Sequence, residues 1–325
     1  MQDQGSGKRR ISASTVVIIA LILIGAGLIS YSSYGYFTAS RAKAPLTVQS
    51  GDQVYVNYTG QYTNNLVFDT SMLSVAQNNA TYPKAPGFTW RGTSGYKALQ
   101  ITKVGSGQVV AGFDQGLIGM AVNQTKTIVI PPDLGYGPLN TSLLSYLPLY
   151  QNITMVHTTT IATFQSDFGE APSVGLVVRD PFWGWNIQVL SSGNGTATYQ
   201  YQPSAGMTVY PYKLNSTTVA GMGGFPVRVI SVTSSANNGS GFIEIHNDIT
   251  NAMVKALGGT SPTGSHFLIW GVNSNGTATL NFNQPTVGRY LYFTITVTYI
   301  SNPTTGKSVG IPGYDIYASV SRTDL

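Results

Sequence analysis

Residues 54–71, VYVNYTGQYTNNLVFDTS, alternate apolar and polar side chains on both sides of an Asn pair and end with a lone carboxylate, Asp69, behind Phe68. Alternation of period two predicts two half-buried strands, and Asn64-Asn65 suits the turn between them because Asn tolerates positive φ. Charged residues make up only 9% of this 325-residue chain, against about 25% in an ordinary soluble domain. A carboxylate set among apolar side chains in such a chain therefore needs a reason, and the rest of the sequence supplies candidates.

Downstream of this pair the pattern continues as a small α+β unit. A short helix is expected near 71–77, followed by an irregular excursion to residue 98 that contains Pro83 and Pro86. A strand is expected over 99–104. GQVVAGFDQGLIGM, 107–120, predicts about two helical turns from Phe113 that bury Phe113, Leu117, Ile118 and Met120. QTKTIVI then alternates as a strand and stops at Pro131-Pro132, where ladder donors run out. Near the C-terminus, VGRYLYFTITVTYI (287–300) is a second clean strand, with Leu291, Phe293, Ile295 and Val297 on one face.

Between these parts, residues 143–284 read as short β segments, with helical periodicity only near 251–257. GNGTATYQYQP at 193 and SNGTATLNFNQP at 274 nearly repeat, and NGSGFIEIHN at 238 is a looser copy. Each puts Asn-Gly in a hairpin turn ahead of an alternating strand. Both a duplicated β unit and a mere likeness among Thr-rich hairpins fit this pattern.

The hydrophobic content of 42% can fill real cores. Much of the net charge of +5 lies in residues 1–43, where Lys8, Arg9, Arg10, Arg41 and Lys43 face Asp3 alone; the remainder, with 12 basic and 11 acidic residues, is near neutral, so nucleic acid is not an expected partner. No cysteine is present, which excludes disulfides, thiolate nucleophiles and Cys-ligated zinc. His157, His246 and His266 are scattered without metal-ligand or triad spacing. Neither metal nor cofactor is expected.

Residues 14–37, STVVIIALILIGAGLISYSSYGYF, carry no charge, follow Lys8-Arg9-Arg10 and end in tyrosines, which is the pattern of a helix that crosses a lipid bilayer with its C-terminal side outside the cytoplasm. A cleaved signal peptide is the competing reading, although Pro45 after Ala42-Lys43-Ala44 suits a cut poorly. Nine Asn-x-Ser/Thr sites, against about four by chance, favour a glycosylated exterior face.

The side chains left to carry chemistry are Tyr58, Phe68, Asp69, Val109, Val110, Phe113, Tyr136 and Phe293, an apolar set with few polar handles. With VNYTG, VFDTS, IPPDLGYG and GRYLYFTITV, in that order and with GQVVAGFDQGLIGM between them, the chain resembles the FKBP-type peptidyl-prolyl isomerases, and as a whole the SlyD-like group of that family, in which a second domain is inserted. The resemblance covers about 52–138 and 283–300.

It implies an FKBP-like antiparallel sheet wrapped on a short helix, and a cleft in which those eight residues receive proline. Phe113 forms the floor, Tyr136 donates to a substrate carbonyl, and Asp69 sits near the carbonyl before proline. Departures from the pattern are Asn65 in place of Gly, Phe113 where many members have Trp, and the excursion after residue 71.

The expected organisation is a cytoplasmic N-terminus (1–13), a transmembrane anchor (14–37), a linker (38–50), the first FKBP-like part (51–142), an inserted β-rich domain (143–284), a closing strand (285–302) and a tail (303–325). The expected partners are unfolded or exported proline-containing polypeptides, held by the insert, with Phe182, Trp183 and Trp185 as a candidate aromatic grip or as buried core. The chain is expected to be monomeric. The alternative is a glycosylated surface or envelope-structural protein that keeps the scaffold for binding without catalysis.

Overall fold

The turn at Asn64-Asn65 forms as the sequence requires, with Asn65 at φ 62°, and it joins β1 (Gln53–Gln61) to β2 (Val67–Thr70). In a computed structural model of the chain, the described residues are Ala26, 45–214, 219–235 and 239–311. The proposed anchor at 14–37 lies outside them apart from Ala26. Among the described residues no helix is long and apolar enough to cross a membrane.

β1 is central to an antiparallel sheet. Along one edge it meets β3 (Leu99–Ile101) and β2, and along the other β17 (Leu291–Asn302). The far edge of β17 pairs with β4 (Thr125–Ile130) and then with β18 (Lys307–Gly310). The tail expected from 303 therefore begins as a hairpin strand, because Asn302 accepts from Thr305 and turns the chain back. The strand expected over 99–104 stops at Ile101, where Gln108 bonds the backbone N–H of Thr102 and ends the pairing.

Two short helices sit on this part of the fold, α1 (Leu73–Gln77) and α2 (Ala111–Leu117). Gly112 and Gly116 let α2 lie directly on β4, since a Cβ on either would come within 2.5 Å of Ile130 or Ile128. Phe113, Leu117 and Met120 are buried as expected, but Ile118 is 43% exposed because the helix has ended and the chain turns outward at it. The excursion after α1 has its own small core of Val67, Val75, Ala76, Phe88 and Tyr96.

After β4 the chain leaves the sheet and returns only at β17. Asn283 closes the neck, accepting from the Asn140 N–H at 3.1 Å and donating to the Asn140 carbonyl at 2.9 Å. Asn283→Ala is expected to cost about 1–2 kcal/mol, read by denaturant unfolding, because it removes both bonds from a buried side chain.

The intervening region begins with three short strands, β5 (Leu144–Pro148), β6 (Tyr150–Thr154) and β7 (Val156–Thr160), and each joins a different sheet. β7 flanks a sheet of β8 (Val177–Arg179), β9 (Asn186–Gly193) and β10 (Thr196–Tyr201). β6 flanks β11 (Thr208–Val209), β12 (Val227–Thr233) and β13 (Phe242–Asn247). β5 flanks β14 (Gly258–Thr260), β15 (His266–Val272) and β16 (Thr277–Asn281).

The three quoted near-repeats supply the hairpin turns of these sheets and their following strands, with Asn238 of the looser copy lying outside the described residues. Each hairpin carries a bulge at an equivalent place, passing over Leu190, Ile230 and Trp270. Ile187, Val227 and Phe267 then face one shared core, as do Val189, Val229 and Ile269. Thus the repetition is threefold, with one added edge strand per copy. One helix, α3 (Ile161–Phe168), breaks the all-β expectation; Thr160 caps it and Phe164 buries it. The helical pattern near 251–257 yields only a single tight turn at Asn251–Met253.

In the first copy Trp185 is buried and stacks on half-buried Trp183 at 4.6 Å, so this cluster is core with one exposed margin. Asp180 lies beneath it and accepts from the N–H groups of Phe182 and Trp183. Burial raises the Asp180 carboxyl above its ordinary value, against the pull of those N–H groups. Its contribution to stability is therefore complete below the unfolded value of about 3.9 and is lost as pH rises through the raised one. Asp180→Asn is expected to reduce the stability difference between pH 4 and pH 7, followed by tryptophan fluorescence during unfolding.

Candidate active site

Four elements converge on one cavity of about 660 Å³: β1, β2, α2 with its preceding turn, and β17. It is lined by Tyr58, Phe68, Asp69, Val109, Val110, Phe113, Tyr136 and Phe293, so the structure brings all eight residues singled out in the sequence to one place.

The rings set its shape. Phe293 stands edge-on to Phe113 at 5.0 Å and to Phe68 at 5.3 Å, and tilts against Tyr58 at 5.8 Å. Tyr58 is also edge-on to Phe113 at 6.0 Å. Edge-to-face contacts at such separations are favourable and hold rings in fixed orientation. Gly60 makes the arrangement possible, because a Cβ there would lie 2.6 Å from the Phe68 ring and 2.9 Å from Phe293.

Asp69 does not stand alone. The Tyr58 hydroxyl donates to its Oδ2 at 2.6 Å, the Thr70 N–H donates to Oδ1 at 2.8 Å, and the Arg91 guanidinium pairs with Oδ1 at 3.2 Å. Arg91 also donates to the Thr70 carbonyl and lies over the Tyr96 ring. The carboxylate is thus fixed from two sides. Burial, and then the Asp69 charge, push the Tyr58 hydroxyl far above the ordinary tyrosine range, so it remains a donor.

Tyr136 differs. It is 48% exposed, its hydroxyl has no hydrogen-bond partner among the described residues, and burial followed by the Asp69 charge raises its pKa. It is a free O–H donor at the mouth of an aromatic cavity.

Several lining residues were not foreseen from the sequence. Tyr62 stacks on Phe68 at 4.7 Å and lies beneath the Arg289 guanidinium, 3.3 Å from the ring centroid; burial, opposed by that cation, pushes its hydroxyl up to about 12. Pro86, Gly87 and Phe88 come from the excursion, and Gln284, Pro285 and Thr286 from the neck. Arg91 left no signal in the sequence, since the cation nearest Asp69 along the chain is Lys84, which instead donates to the carbonyls of Val75, Asn78 and Tyr82.

No group of three or more His, Cys, Asp or Glu among the described residues is placed to hold a metal ion. All three histidines lie on strands of the intervening region.

The domain that carries this cleft, an antiparallel sheet packed against a short helix, matches a known family. Residues 44–145 match the family model of the FKBP-type peptidyl-prolyl cis-trans isomerases, and the chain carries a domain of that type.

Among relatives, it is 33% identical over 102 residues to a short-type peptidyl-prolyl cis-trans isomerase of Methanocaldococcus jannaschii, covering 31% of this chain and 58% of that protein. It is 36% identical over 89 residues to FK506-binding protein 2 of Dictyostelium discoideum, 27% and 50% of the two chains. It is 35% identical over 95 residues to peptidyl-prolyl cis-trans isomerase FKBP9 of Rattus norvegicus, 29% and 13%. The matches thus span between about an eighth and three fifths of those proteins.

Proposed function

We propose that this protein is a peptidyl-prolyl cis-trans isomerase that helps exported chains fold, acting by binding proline in the aromatic cavity. The observation that carries the reading is the convergence of four rings and two valines around one free hydroxyl, that of Tyr136.

The chemistry asks for little else. Rotation about an X-Pro bond is opposed by about 18–20 kcal/mol of lost amide resonance in the general case of the peptide bond. A twisted amide is less dipolar than a planar one, so an apolar site with little water favours it over the ground state. Tyr136 holds a substrate carbonyl in place, and Asp69, fixed by Tyr58 and Arg91, presents a set charge at the edge of the hollow. Lowering the barrier by about 4–8 kcal/mol accelerates exchange roughly a thousand- to a millionfold.

The intervening β-rich region is read as the part that holds client chains, which raises their concentration at the cavity. A second cavity of about 580 Å³, lined by Phe182, Trp183, Met207 and Tyr210, supports this. Placement outside the cytoplasm rests on the apolar segment 14–37 and on the sequons. Asn79, Asn123, Asn140, Asn152, Asn194 and Asn275 are exposed, whereas Asn57 lies in the central strand with its Thr59 buried and is not a plausible acceptor in the fold.

The test is a cis/trans assay with the full chain and a proline tetrapeptide. Wild type should accelerate exchange, and Tyr136→Phe should lower kcat/KM about two- to twelvefold, the worth of one hydrogen bond to a neutral group made in the transition state. A folded wild type that leaves the exchange rate unaltered would refute the reading.

A further inference from the structure

The cavity is larger than a proline ring needs. Its volume of about 660 Å³ falls in the range of about 300–1,000 Å³ in which pockets enclose ligands of drug size, enough for side chains on either side of the proline. The extra space lies against a wall that the four elements of the proline site do not supply: Pro86, Gly87 and Phe88 from the excursion, and Pro285 from the neck.

That wall is held by a distant segment. Residues 219–221, between β11 and β12 of the intervening region, reach the excursion and pair with it as a short antiparallel bridge. The Gly87 N–H donates to the Ala220 carbonyl at 2.9 Å, the Ala220 N–H donates to the Phe88 carbonyl at 2.9 Å, and Val219 bridges Thr89. Ala220 packs against the excursion's own core.

Gly221 lies so close to Pro86 that a Cβ would sit 2.7 Å from the Pro86 Cα, and its φ of 67° suits glycine. The Gly221 carbonyl accepts from the Gly258 N–H of β14 at 2.7 Å, which ties the segment to one of the three repeated sheets. On the cavity side, Gly87 faces Pro285, with a Cβ position 3.2 Å from its Cγ.

We infer that the 219–221 segment is a positioning element of the cavity: by fixing the Pro86–Phe88 wall against Pro285, it sets how well the site receives a large apolar side chain next to the proline. The inference rests on the isomerase reading above. It assigns the intervening region a role in substrate choice at the cavity itself, separate from any holding of clients elsewhere.

The experiment compares two tetrapeptide series in which the residue before or after proline is Ala, Leu or Phe, using the full chain as wild type, Gly221→Ala and Pro285→Ala. The readout is the ratio of kcat/KM for the bulky peptide to that for the Ala peptide. A whole methylene-sized contact in an apolar pocket is worth about tenfold or more in discrimination, and loosening the wall forfeits part of one. Gly221→Ala, which drives the 219–221 segment off Pro86, and Pro285→Ala, which opens the opposite side, should each reduce the ratio about three- to tenfold in at least one series. Gly223→Ala, whose Cβ meets nothing within 4 Å, should leave it unchanged.

A merely destabilised protein loses active fraction for all peptides alike, which cancels in the ratio. Ratios unaltered in both Gly221→Ala and Pro285→Ala would overturn the inference; if Gly221→Ala does not fold, Ala220→Gly, which removes the segment's side-chain contact with the excursion core, takes its place, and an unaltered ratio there overturns it. Binding of the same peptides, labelled and followed by anisotropy, gives the corresponding ratio of affinities. Absence of turnover with that ratio intact in wild type and reduced in the variants would count against the isomerase reading and in favour of the wall.

Discussion

Asp69→Ala is expected to lower kcat/KM for a proline peptide by about ten- to a hundredfold while leaving the protein folded. A hydrogen bond to a charged group is worth about 1.5–3 kcal/mol, and the substitution removes the acceptor of the Tyr58 hydroxyl together with the partner of Arg91. Tyr58 is buried, so its hydroxyl would be left without an acceptor inside the aromatic set. Arg91 is 41% exposed in its side chain and regains water, so the larger part of the loss should fall on the geometry of the cavity. Asp69→Asn preserves the shape but removes the charge, and an intermediate effect is expected. Kinetics with the two variants side by side measure both contributions; equal rates for wild type and Asp69→Ala would remove Asp69 from the site.

Phe293→Ala should produce the largest loss of stability of any single change at the site, about 3–5 kcal/mol by denaturant unfolding, as for other large-to-small changes in a core. Its ring touches Tyr58, Phe68 and Phe113, and it is only 5% exposed. A cavity behind three aromatic side chains cannot collapse without moving β17 away from β1 and β4, which pair with it over most of its length. Phe293→Leu keeps most of the volume and should cost less than half as much. Since the same ring forms one side of the proline hollow, activity should fall with both variants, and further with alanine.

How much of this could be read from residues alone depends on the distance over which each feature is set. The β1–β2 hairpin, α2 and the strand ending at Pro131 follow from local alternation, turn chemistry and the loss of a donor, and they lie close to where the sequence places them. The eight lining residues were legible because they lie in short motifs whose order and spacing are family-like. Arg91, Tyr62, Pro86 and Pro285 were not. Arg91, Pro86 and Pro285 reach the site through long-range contacts, with the excursion folding back on β2 or the neck closing behind it, and no periodicity records such contacts, whereas Tyr62 directly follows β1 and shares the face of Tyr58 and Gly60 by simple alternation.

The repeats show the same limit from the other side. Asn-Gly turns mark three hairpins, but nothing in the quoted stretches tells that residues 144–160 deal one strand to each sheet. The helix at Ile161–Phe168 was missed because its only strong apolar anchors, Ile161, Phe164 and Phe168, are embedded in a Thr-rich run that reads as strand. Ile118 failed for a simpler reason: the helix stops at Leu117, one residue before the period would bury it.

Everything turns on whether the rings of Tyr58, Phe68, Phe113 and Phe293 enclose a hollow that proline enters. Exchange spectroscopy of a proline tetrapeptide with a catalytic amount of the full chain tests this most directly, because cis and trans resonances connect on a sub-second mixing time only if the protein interconverts them. Strong exchange cross-peaks are expected with wild type and markedly weaker ones with Phe113→Ala. Cross-peaks no stronger than those of the peptide alone, in the presence of folded wild-type protein, would contradict that expectation.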